Sequence, residues 1–182
     1  MSGVEVRIAG PDDAPHAAAA AALIDRAASA ADIARREEGL LREKIEGGRA
    51  AIALEGDALV GFGYFSAWDG GRRVSHSGLV VRPDRRGEGL GRRLKLALFE
   101  ASRRQFPHAT TISLTTSPAV ERLNLSLGFR RAPLEELTDD PEFWNGCRTC
   151  RNYEKVRAEG KRCCCFGMIR PPDKAPDDEG AA

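Results

Sequence analysis

The chain has 182 residues, which is the length of one globular domain of roughly 100–200 residues with at most a short extension. Its 28 basic and 27 acidic residues leave a net charge of +1, and this balance argues against a nucleic-acid-binding protein, which carries a basic excess. No run reaches the roughly 18 apolar residues of a membrane span, and the Ala-rich stretch 17–24 follows acidic residues rather than the basic ones of a secretion signal. A cytoplasmic protein with reduced cysteines is therefore expected.

The first half of the chain predicts one strand, two helices and then three consecutive strands. Residues 4–8 alternate apolar and polar side chains, which is typical of a strand with one buried face. Gly47-Gly48 ends the second helix, and Glu55-Gly56-Asp57 is typical of a hairpin turn. The predicted helices cover 14–28 and 36–46, and the predicted strands that follow cover 50–54, 59–66 and 74–81.

The second half predicts two helices, a short strand and a cysteine-bearing extension. Apolar residues repeat at helical spacing from Leu90 to Ala101, and Ser117-Pro118 is a typical helix start. The other predicted elements are a strand at 111–115, a helical turn from Asp140-Pro141, a last strand at 161–168 and a disordered tail at 171–182. Three strands in a meander, followed by a strand–helix–strand unit, indicate a mixed, largely antiparallel α+β sheet.

A glycine-rich segment, Arg82–Gly91, separates the third strand of the meander from the long helix. The first N–H groups of a helix have no partner within it, and the helix dipole adds about half a positive charge there. Glycines at 87, 89 and 91 would let the backbone approach phosphate oxygens closely. The segment therefore predicts an anion site, and the alternative is a turn that needs glycines, with its arginines in solvent.

The string Val80–Gly91 resembles motif A of the GNAT superfamily of N-acetyltransferases, whose pattern Gln/Arg-x-x-Gly-x-Gly/Ala is filled by Arg86, Gly89 and Gly91. Leu127-Gly128-Phe129 is similar to the end of the superfamily's next helix, so the resemblance runs from about residue 4 to 130. It implies a GNAT-type sheet flanked by helices over residues 1–135. It also implies that acetyl-CoA binds with its pyrophosphate on the amides of 86–91 and its pantetheine arm along strand 74–81. The implied donor-binding residues are Leu79, Val80, Val81, Arg86, Gly87, Glu88, Gly89, Leu90 and Gly91.

The chain departs from the superfamily at the residue that often protonates the departing CoA thiolate. Superfamily members often carry a tyrosine four residues before the glycine of the second motif, and here that position is Asn124, whose amide does not ionise. Two interpretations stay open. Asn124 hydrogen-bonds the thiolate while a water or Ser126 delivers the proton, or the thiolate, with a pKa near roughly 8.5, leaves unaided. The alternative is a polar residue on a helix surface.

A base is expected to take the proton of the attacking amine, because a side-chain amine with a pKa of about 10.4 is charged at neutral pH. His76 lies on the predicted strand 74–81 and titrates near neutrality, which makes it the predicted base. Superfamily members often place an acid in this stretch, and Ser75 is the nearest match to it. The alternative for His76 is a structural histidine that is hydrogen-bonded within the sheet.

The start of the second helix predicts the acceptor. Residues 33–42 are similar to a segment of acetylglutamate-synthase-like members of the superfamily, in which an arginine precedes this helix, and Arg36 takes that position. A guanidinium forms paired hydrogen bonds to a carboxylate, so a free amino acid such as glutamate is the expected acceptor. Tyr64, on a neighbouring strand, is expected to orient the substrate. The alternative is a solvated arginine at a helix start.

All five cysteines lie in the last quarter of the chain, as a Cys147-x-x-Cys150 hook and the run Cys163-Cys164-Cys165. Four thiolates are a preferred tetrahedral ligand set of Zn²⁺. If 161–168 is a strand, Cys163 and Cys165 share a face and Cys164 points away. A structural zinc in a zinc-knuckle-like extension, residues 136–170, is therefore predicted on Cys147, Cys150, Cys163 and Cys165. The alternatives are a redox dithiol at Cys147 and Cys150, and plain unligated thiols.

These features favour an acetyl-CoA-dependent N-acetyltransferase that acts on a small primary amine. Two alternatives from other classes stay open. The absent tyrosine favours a non-catalytic acyl-CoA-binding regulator, and the cysteines favour a zinc-mediated interaction protein built on a GNAT core. The sequence leaves a homodimer open and does not identify the acceptor.

Overall fold

The computed structural model describes residues 3–173, so most of the predicted tail, 174–182, lies outside the described residues. The strands are β1 (Glu5–Ile8), β2 (Ala50–Glu55), β3 (Ala58–Trp68), β4 (Arg73–Val81), β5 (Thr110–Thr115), β6 (Arg130–Ala132) and β7 (Phe166–Arg170). The helices are α1 (Ala17–Ala28), α2 (Glu38–Glu46), α3 (Leu90–Gln105), α4 (Pro118–Ser126), α5 (Pro141–Asn145) and α6 (Tyr153–Ala158). Within the described part of the chain, no helix is both long and apolar enough to cross a bilayer.

The seven strands form one sheet in the order β1-β2-β3-β4-β5-β7-β6. Only β4 and β5 are parallel among the described strands, and every other neighbouring pair is antiparallel. The predicted hairpin turn is present, because Gly56 joins β2 to β3 with a φ of 57° that suits glycine. The sheet therefore confirms the predicted fold class, a mixed, largely antiparallel α+β sheet flanked by helices.

The helices cover both faces of the sheet. The first face packs against α1 and α2, where Ile24 and Leu41 meet Phe62 and Tyr64 of β3. On the other face Leu94 and Leu98 of α3 pack closely, because β3 has glycines beneath them. A Cβ on Gly61 would lie 2.9 Å from the Leu94 side chain, and one on Gly63 would lie 3.0 Å from that of Leu98. These two glycines allow α3 to lie directly on the sheet.

The C-terminal edge of the sheet differs from the sequence prediction. β7 begins at Phe166, so the predicted strand over 161–168 is wrong for its first five residues, and the three consecutive cysteines lie in the loop before the strand. β6 was not predicted, because three residues are too short to show a period of two. Its pairing with β7 along Ala132–Gly167, Arg131–Met168 and Arg130–Ile169 makes it a strand.

A third apolar cluster joins the C-terminal extension to the sheet. Ile112 of β5 and Ile169 of β7 pack with Leu137 and with Phe143 of α5. The side chain of Arg73 donates a 2.8 Å hydrogen bond to the Leu137 carbonyl. The extension is thus packed on the same sheet rather than separated from it.

Candidate functional site

The parallel strands β4 and β5 separate near the middle of the sheet. They pair only from Arg73–Thr110 to Ser75–Ile112, while β5 continues to Thr115 with β7 along its opposite edge. On its other side β4 has a bulge, since two residues, Gly78 and Leu79, lie opposite the single Gly63 of β3. The result is a wedge-shaped opening whose vertex lies just beyond the Ser75–Ile112 pair. The backbone of β4 beyond this vertex, including Leu79, Val80 and Val81, faces the opening without a β5 partner.

Glycine at 78 is required by the bulge. Its φ is 62°, a conformation that side chains with a Cβ rarely adopt. A Cβ there would lie 2.9 Å from the ring of Tyr64. Gly78 therefore allows the bulge of β4 to pack in close contact with Tyr64 of the neighbouring strand.

The glycine-rich segment turns into the start of α3 at the open end of the wedge. Gly87 and Gly89 have φ values of 86° and 75°, and Gly89 is the residue that precedes the first turn of the helix. No heavy atom lies within 4 Å of the Cβ positions of these two glycines, so the backbone conformation rather than crowding selects glycine. The N–H groups of the first turn of α3 follow directly on this loop, where the predicted anion site needs them.

The arginines around the loop divide into two groups. Arg82 and Arg85 form ion pairs with Glu55, so much of their charge is neutralised within the protein. Arg86 donates to the Val81 carbonyl at 3.3 Å, and Arg92 donates to the Ser126 hydroxyl at 3.0 Å. Within residues 3–173, neither of these last two has a carboxylate partner, so their charge is available to an anion at the loop.

His76 is the first residue of β4 beyond the vertex, and its ring is buried on the face that α3 covers. The ring nitrogen Nε2 lies 3.1 Å from the Ser102 hydroxyl, which itself donates to the Phe99 carbonyl. With the Ser102 hydroxyl donating to Phe99, we assign the hydrogen to Nε2, which leaves Nδ1 as an acceptor. This nitrogen is buried with no partner in the described residues. Burial, together with the positive charge of Lys95, holds the pKa of His76 well below its ordinary value, so the ring is neutral at pH 7.

Asn124 lies at the other side of the vertex and is fully buried. Its Nδ2 donates to the hydroxyl of Ser113, the first residue of β5 beyond the vertex, at 3.3 Å, and to Met168 Sδ at 3.5 Å. Its Oδ1 is buried without a partner among the described residues. Asn124 is therefore not the solvent-facing helix residue that was one alternative, and the vertex contains two buried acceptor atoms whose hydrogen-bonding capacity is unused.

Ser75 points to the opposite face from His76, because neighbouring residues of a strand alternate. Its hydroxyl accepts a 2.8 Å hydrogen bond from the indole N–H of Trp68, and the residue is buried. The two predicted catalytic residues on β4 are therefore on different faces of the sheet.

Lys95 is a functional candidate that the sequence analysis missed. It is buried on α3, with Nζ 5.0 Å from the centre of the Phe129 ring, and burial lowers its pKa to about 7. The sequence signal was a second helical stripe, because Lys95, Phe99 and Ser102 follow one another at spacings of four and three beside the apolar stripe of Leu94 and Leu98. Lys95 therefore places a titrating amine close to the His76 ring.

The predicted acceptor residues lie together on the α1–α2 face. Arg36 Nε donates a 2.6 Å hydrogen bond to the Tyr64 hydroxyl, and its Nη1 donates to the carbonyls of Arg35 and Gly146 at 2.8 and 3.0 Å. Its Nη2 has no hydrogen-bond partner within residues 3–173. The guanidinium is thus held in place through Nε and Nη1, while Nη2 is available to a carboxylate.

The five cysteines converge on one cluster, made of Cys147, Cys150 and the run 163–165. The Cys163 sulfur accepts hydrogen bonds from the thiols of Cys147 and Cys165, which lowers the pKa of Cys163 to about 3 and raises those of its two donors. The sulfurs of 163, 164 and 165 lie within 4.8 Å of one another. Strand alternation does not separate them as predicted, because the strand begins only at Phe166. Cys164 is the exposed member and the other four are partly buried.

Comparison with known proteins gives the family. Residues 19–129 match the model of the acetyltransferase (GNAT) family, which is more than half of the chain. The chain belongs to this family. A comparison with curated protein sequences gave no significant match.

Solved structures of acetyltransferases share the fold. N-acetylglutamate synthase from Neisseria gonorrhoeae, complexed with coenzyme A and N-acetyl-glutamate, is similar at 20% identity with a TM-score of 0.67 over 96% of this chain. The chain spans only 36% of that protein. The protein yncA from Salmonella typhimurium, with acetyl-CoA, is 24% identical with a TM-score of 0.64, over 97% of this chain and 99% of that one.

The ribosomal-protein-S18-alanine N-acetyltransferase from Escherichia coli is a further neighbour. It is 18% identical with a TM-score of 0.60, over 97% of this chain and 98% of that one. At these identities the likeness establishes the fold, and the neighbours differ in the acceptors that their names give.

Proposed function

We propose that the chain is an acetyl-CoA-dependent N-acetyltransferase that moves an acetyl group to the primary amine of a free amino acid such as glutamate. The observation that carries this proposal is the wedge between β4 and β5, which opens beside the positive-φ glycines at the start of α3. Backbone amides of 86–91 and the charge of Arg86 would hold the pyrophosphate. The edge of β4 over Leu79, Val80 and Val81 that has no β5 partner would hydrogen-bond the pantetheine amides.

The reaction needs three events at the vertex of the wedge. The neutral amine attacks the thioester carbonyl carbon, the C–S bond breaks as the CoA thiolate leaves, and the amine loses a proton. His76 is the proposed base, and Nδ1 is the atom that can take the proton, because Nε2 already carries one. Burial makes this ring a weak base, and it lies on the α3 face of the sheet whereas Arg36 and Tyr64 lie on the α1–α2 face. We therefore place a water in the wedge between Nδ1 and the amine rather than direct contact.

Asn124 is proposed to stabilise the departing thiolate. It cannot donate a proton outright, but its amide N–H already reaches a sulfur, that of Met168, at 3.5 Å. Turning this N–H to the CoA thiolate would exchange a weak acceptor for a charged one. Ser75 has no proposed chemical step beyond its hydrogen bond to Trp68, which fixes β3 against β4.

Arg36 and Tyr64 are proposed to bind the carboxylate of the acceptor. The Tyr64 hydroxyl and the Gly146 carbonyl fix the guanidinium, and Nη2 remains for the substrate. This arrangement supports an amino-acid acceptor over a plain amine, because a carboxylate gains a charge-assisted hydrogen bond there.

The chain is proposed to comprise a GNAT core over 1–135 and a cysteine module over 136–170, with zinc in the module. The proposed ligands are Cys147, Cys150, Cys163 and Cys165, since Cys164 is the exposed thiol. Four protein thiolates leave no open position, so this metal would be structural. The reducing cytoplasm is the proposed compartment, because thiols remain free there.

The test is release of CoA thiol from acetyl-CoA with a panel of amines, including L-glutamate and its decarboxylated analogue 4-aminobutyrate. We expect release with L-glutamate that depends on enzyme concentration. Tight binding of CoA without release for any amine would contradict catalysis and favour the acyl-CoA-binding regulator, for which the absence of a tyrosine at position 124 is the supporting observation.

A further inference from the structure

The first cysteine hook contacts the segment that carries the acceptor arginine. Three hydrogen bonds join residues 146–151 to residues 32–36, although the two are more than 100 positions apart. Arg36 Nη1 donates to the Gly146 carbonyl at 3.0 Å and the Thr149 hydroxyl donates to the Arg35 carbonyl at 2.9 Å. Arg151 also pairs with Asp32, at 2.9 Å. The hook therefore forms one wall of the site in which Arg36 and Tyr64 lie.

The hook has little regular structure of its own to hold this wall in place. It lies between α5, with five residues, and α6, with six, and helices this short are marginal without other support. The other half of the cysteine cluster is better anchored, because Cys165 directly precedes Phe166 of β7, which pairs with β5 in the sheet. A metal that bridges Cys147 and Cys150 to the run 163–165 would attach the hook to the sheet.

The charges are complementary. Zn²⁺ with four thiolates has a net charge of −2, and the Arg36 guanidinium donates to the carbonyl of Gly146, the residue before the proposed ligand Cys147. Without the metal, the Gly146 carbonyl would no longer be fixed beside Arg36, and the negative charge near the guanidinium would change.

We propose that zinc in the cysteine cluster fixes Arg36 through the hook, so that metal occupancy controls binding of the acceptor and not binding of acetyl-CoA. This inference rests on the proposed role of Arg36 in the acceptor site. The donor loop is independent of the hook, since Arg85, Arg86 and Arg92 contact Glu55, Val81 and Ser126 instead. An open groove of about 380 Å³ beside Cys163 and Cys164 gives the metal a route to the cluster.

Coupling between two sites is reciprocal, and this gives a test that needs no activity. Zinc affinity is measured by competition with a chromophoric chelator for the unmodified chain, for Arg36→Gln and for Arg35→Gln. We expect Arg36→Gln to weaken zinc binding about tenfold. Arg35→Gln is the matched control, because it removes the same charge from the neighbouring residue. The Arg35 side chain pairs with Asp25 and does not contact the hook. It should leave zinc affinity within twofold.

Trypsin supplies a second measurement on the unmodified chain. Cleavage after Arg35 and Arg36, identified by mass, should accelerate at least about fivefold when zinc is removed by a chelator. Cleavage after Arg92 and Arg93, in the first turn of α3 beside the donor loop, should keep its rate. If Arg36→Gln does not fold, the trypsin rates on the unmodified chain alone test whether zinc fixes Arg36.

The kinetic arm uses Thr149→Val, which removes the hydroxyl that donates to Arg35 and keeps all five cysteines. We expect full zinc content, a two- to fivefold higher KM for L-glutamate and an unchanged KM for acetyl-CoA. Absence of bound zinc, an intramolecular disulfide between Cys147 and Cys150 in the purified chain, or equal trypsin rates with and without zinc would each overturn the coupling. If L-glutamate is not acetylated while the zinc-affinity and trypsin differences are present, the acceptor assignment fails and the coupling of metal to Arg36 stands.

Discussion

Arg36 donates a 2.6 Å hydrogen bond to the hydroxyl of Tyr64, and this contact joins the segment just before α2 to the strand beside the β4 bulge. The same tyrosine ring occupies the space that a Cβ on Gly78 would need. One aromatic residue therefore links the proposed acceptor arginine to the bulge that opens the donor wedge.

Tyr64→Phe should weaken acceptor binding because it removes the hydrogen bond that orients Arg36 while keeping the ring. We expect the KM for L-glutamate to rise about five- to tenfold, with the KM for acetyl-CoA unchanged, in steady-state assays. Tyr153→Phe in α6 is the matched control, since the chain has only two tyrosines. Equal KM values for the two variants would remove Arg36 and Tyr64 from the acceptor site.

Gly89→Asp should abolish CoA binding, because it places a negative charge where the pyrophosphate is proposed to lie. It also strains a residue whose φ is 75°. Gly48→Asp is the control: Gly48 has a φ of 64°, its Cβ position is also open, and it lies between α2 and β2. Calorimetry should show no CoA binding for the first variant and normal binding for the second. CoA affinity within twofold of the parent in Gly89→Asp would rule out the loop as the pyrophosphate site.

His76→Gln tests the base. Glutamine keeps a donor for Ser102 but cannot accept a proton at neutral pH. We expect turnover to fall by about 10²-fold with CoA affinity intact. Because the pKa of His76 is low, this ring stays neutral between pH 7 and 6.5. Its protonation should therefore not reduce the turnover of the parent over this range. Turnover of the variant within twofold would leave His76 with a purely structural role.

Lys95→Met should stabilise the chain, and the effect should depend on pH. The folded-state pKa of Lys95 is about 7 against an ordinary 10.5, so the unfolded chain binds more protons between these values and stability rises with pH there. The destabilisation by Lys95 is thus complete below pH 7 and vanishes near pH 10.5. We expect the variant to gain at least about 1 kcal/mol in free energy of unfolding at pH 6.5, after allowance for the lost cation–π contact with Phe129.

The matching measurement is urea denaturation at pH 6.5 and at pH 9.5. The gain should be larger at the lower pH, and Lys155→Met, at an exposed position of α6, should show no such difference. A gain that is equal at both pH values would show that Lys95 is not buried as a titrating amine.

Sequence patterns were sufficient for the sheet and the donor loop because both depend on local signals. Alternation defined β1, helical spacing defined α3, and glycines marked the loop at 87 and 89. Arg36 was predicted through family resemblance, and Tyr64 from its position on a neighbouring strand. The hydrogen bond from Arg36 to Gly146 could not be predicted, because 110 positions separate the two residues and no local rule brings them together.

In the cysteine module, the cysteines were expected to lie together because of a strand that, in the structure, begins only after them. The strand assigned to 161–168 assumed that Cys163 and Cys165 lie in the sheet, but the hydrogen bonds of β7 to β5 begin at Phe166. The choice of Cys164 as the spare thiol now depends on its exposure instead. Cys164→Ser should keep one zinc per chain and Cys147→Ser should lose it, as metal analysis would show. Equal zinc loss in both variants would contradict this ligand set.

The proposed reaction transfers an acetyl group from CoA to an amino acid at the wedge between β4 and β5. The most direct measurement follows, by mass spectrometry, both CoA and acetylated L-glutamate in one reaction with acetyl-CoA. We predict that the two products appear in equal amounts, and that neither appears with Gly89→Asp. Release of CoA at the same rate with and without L-glutamate, with no acetylated product, would contradict it.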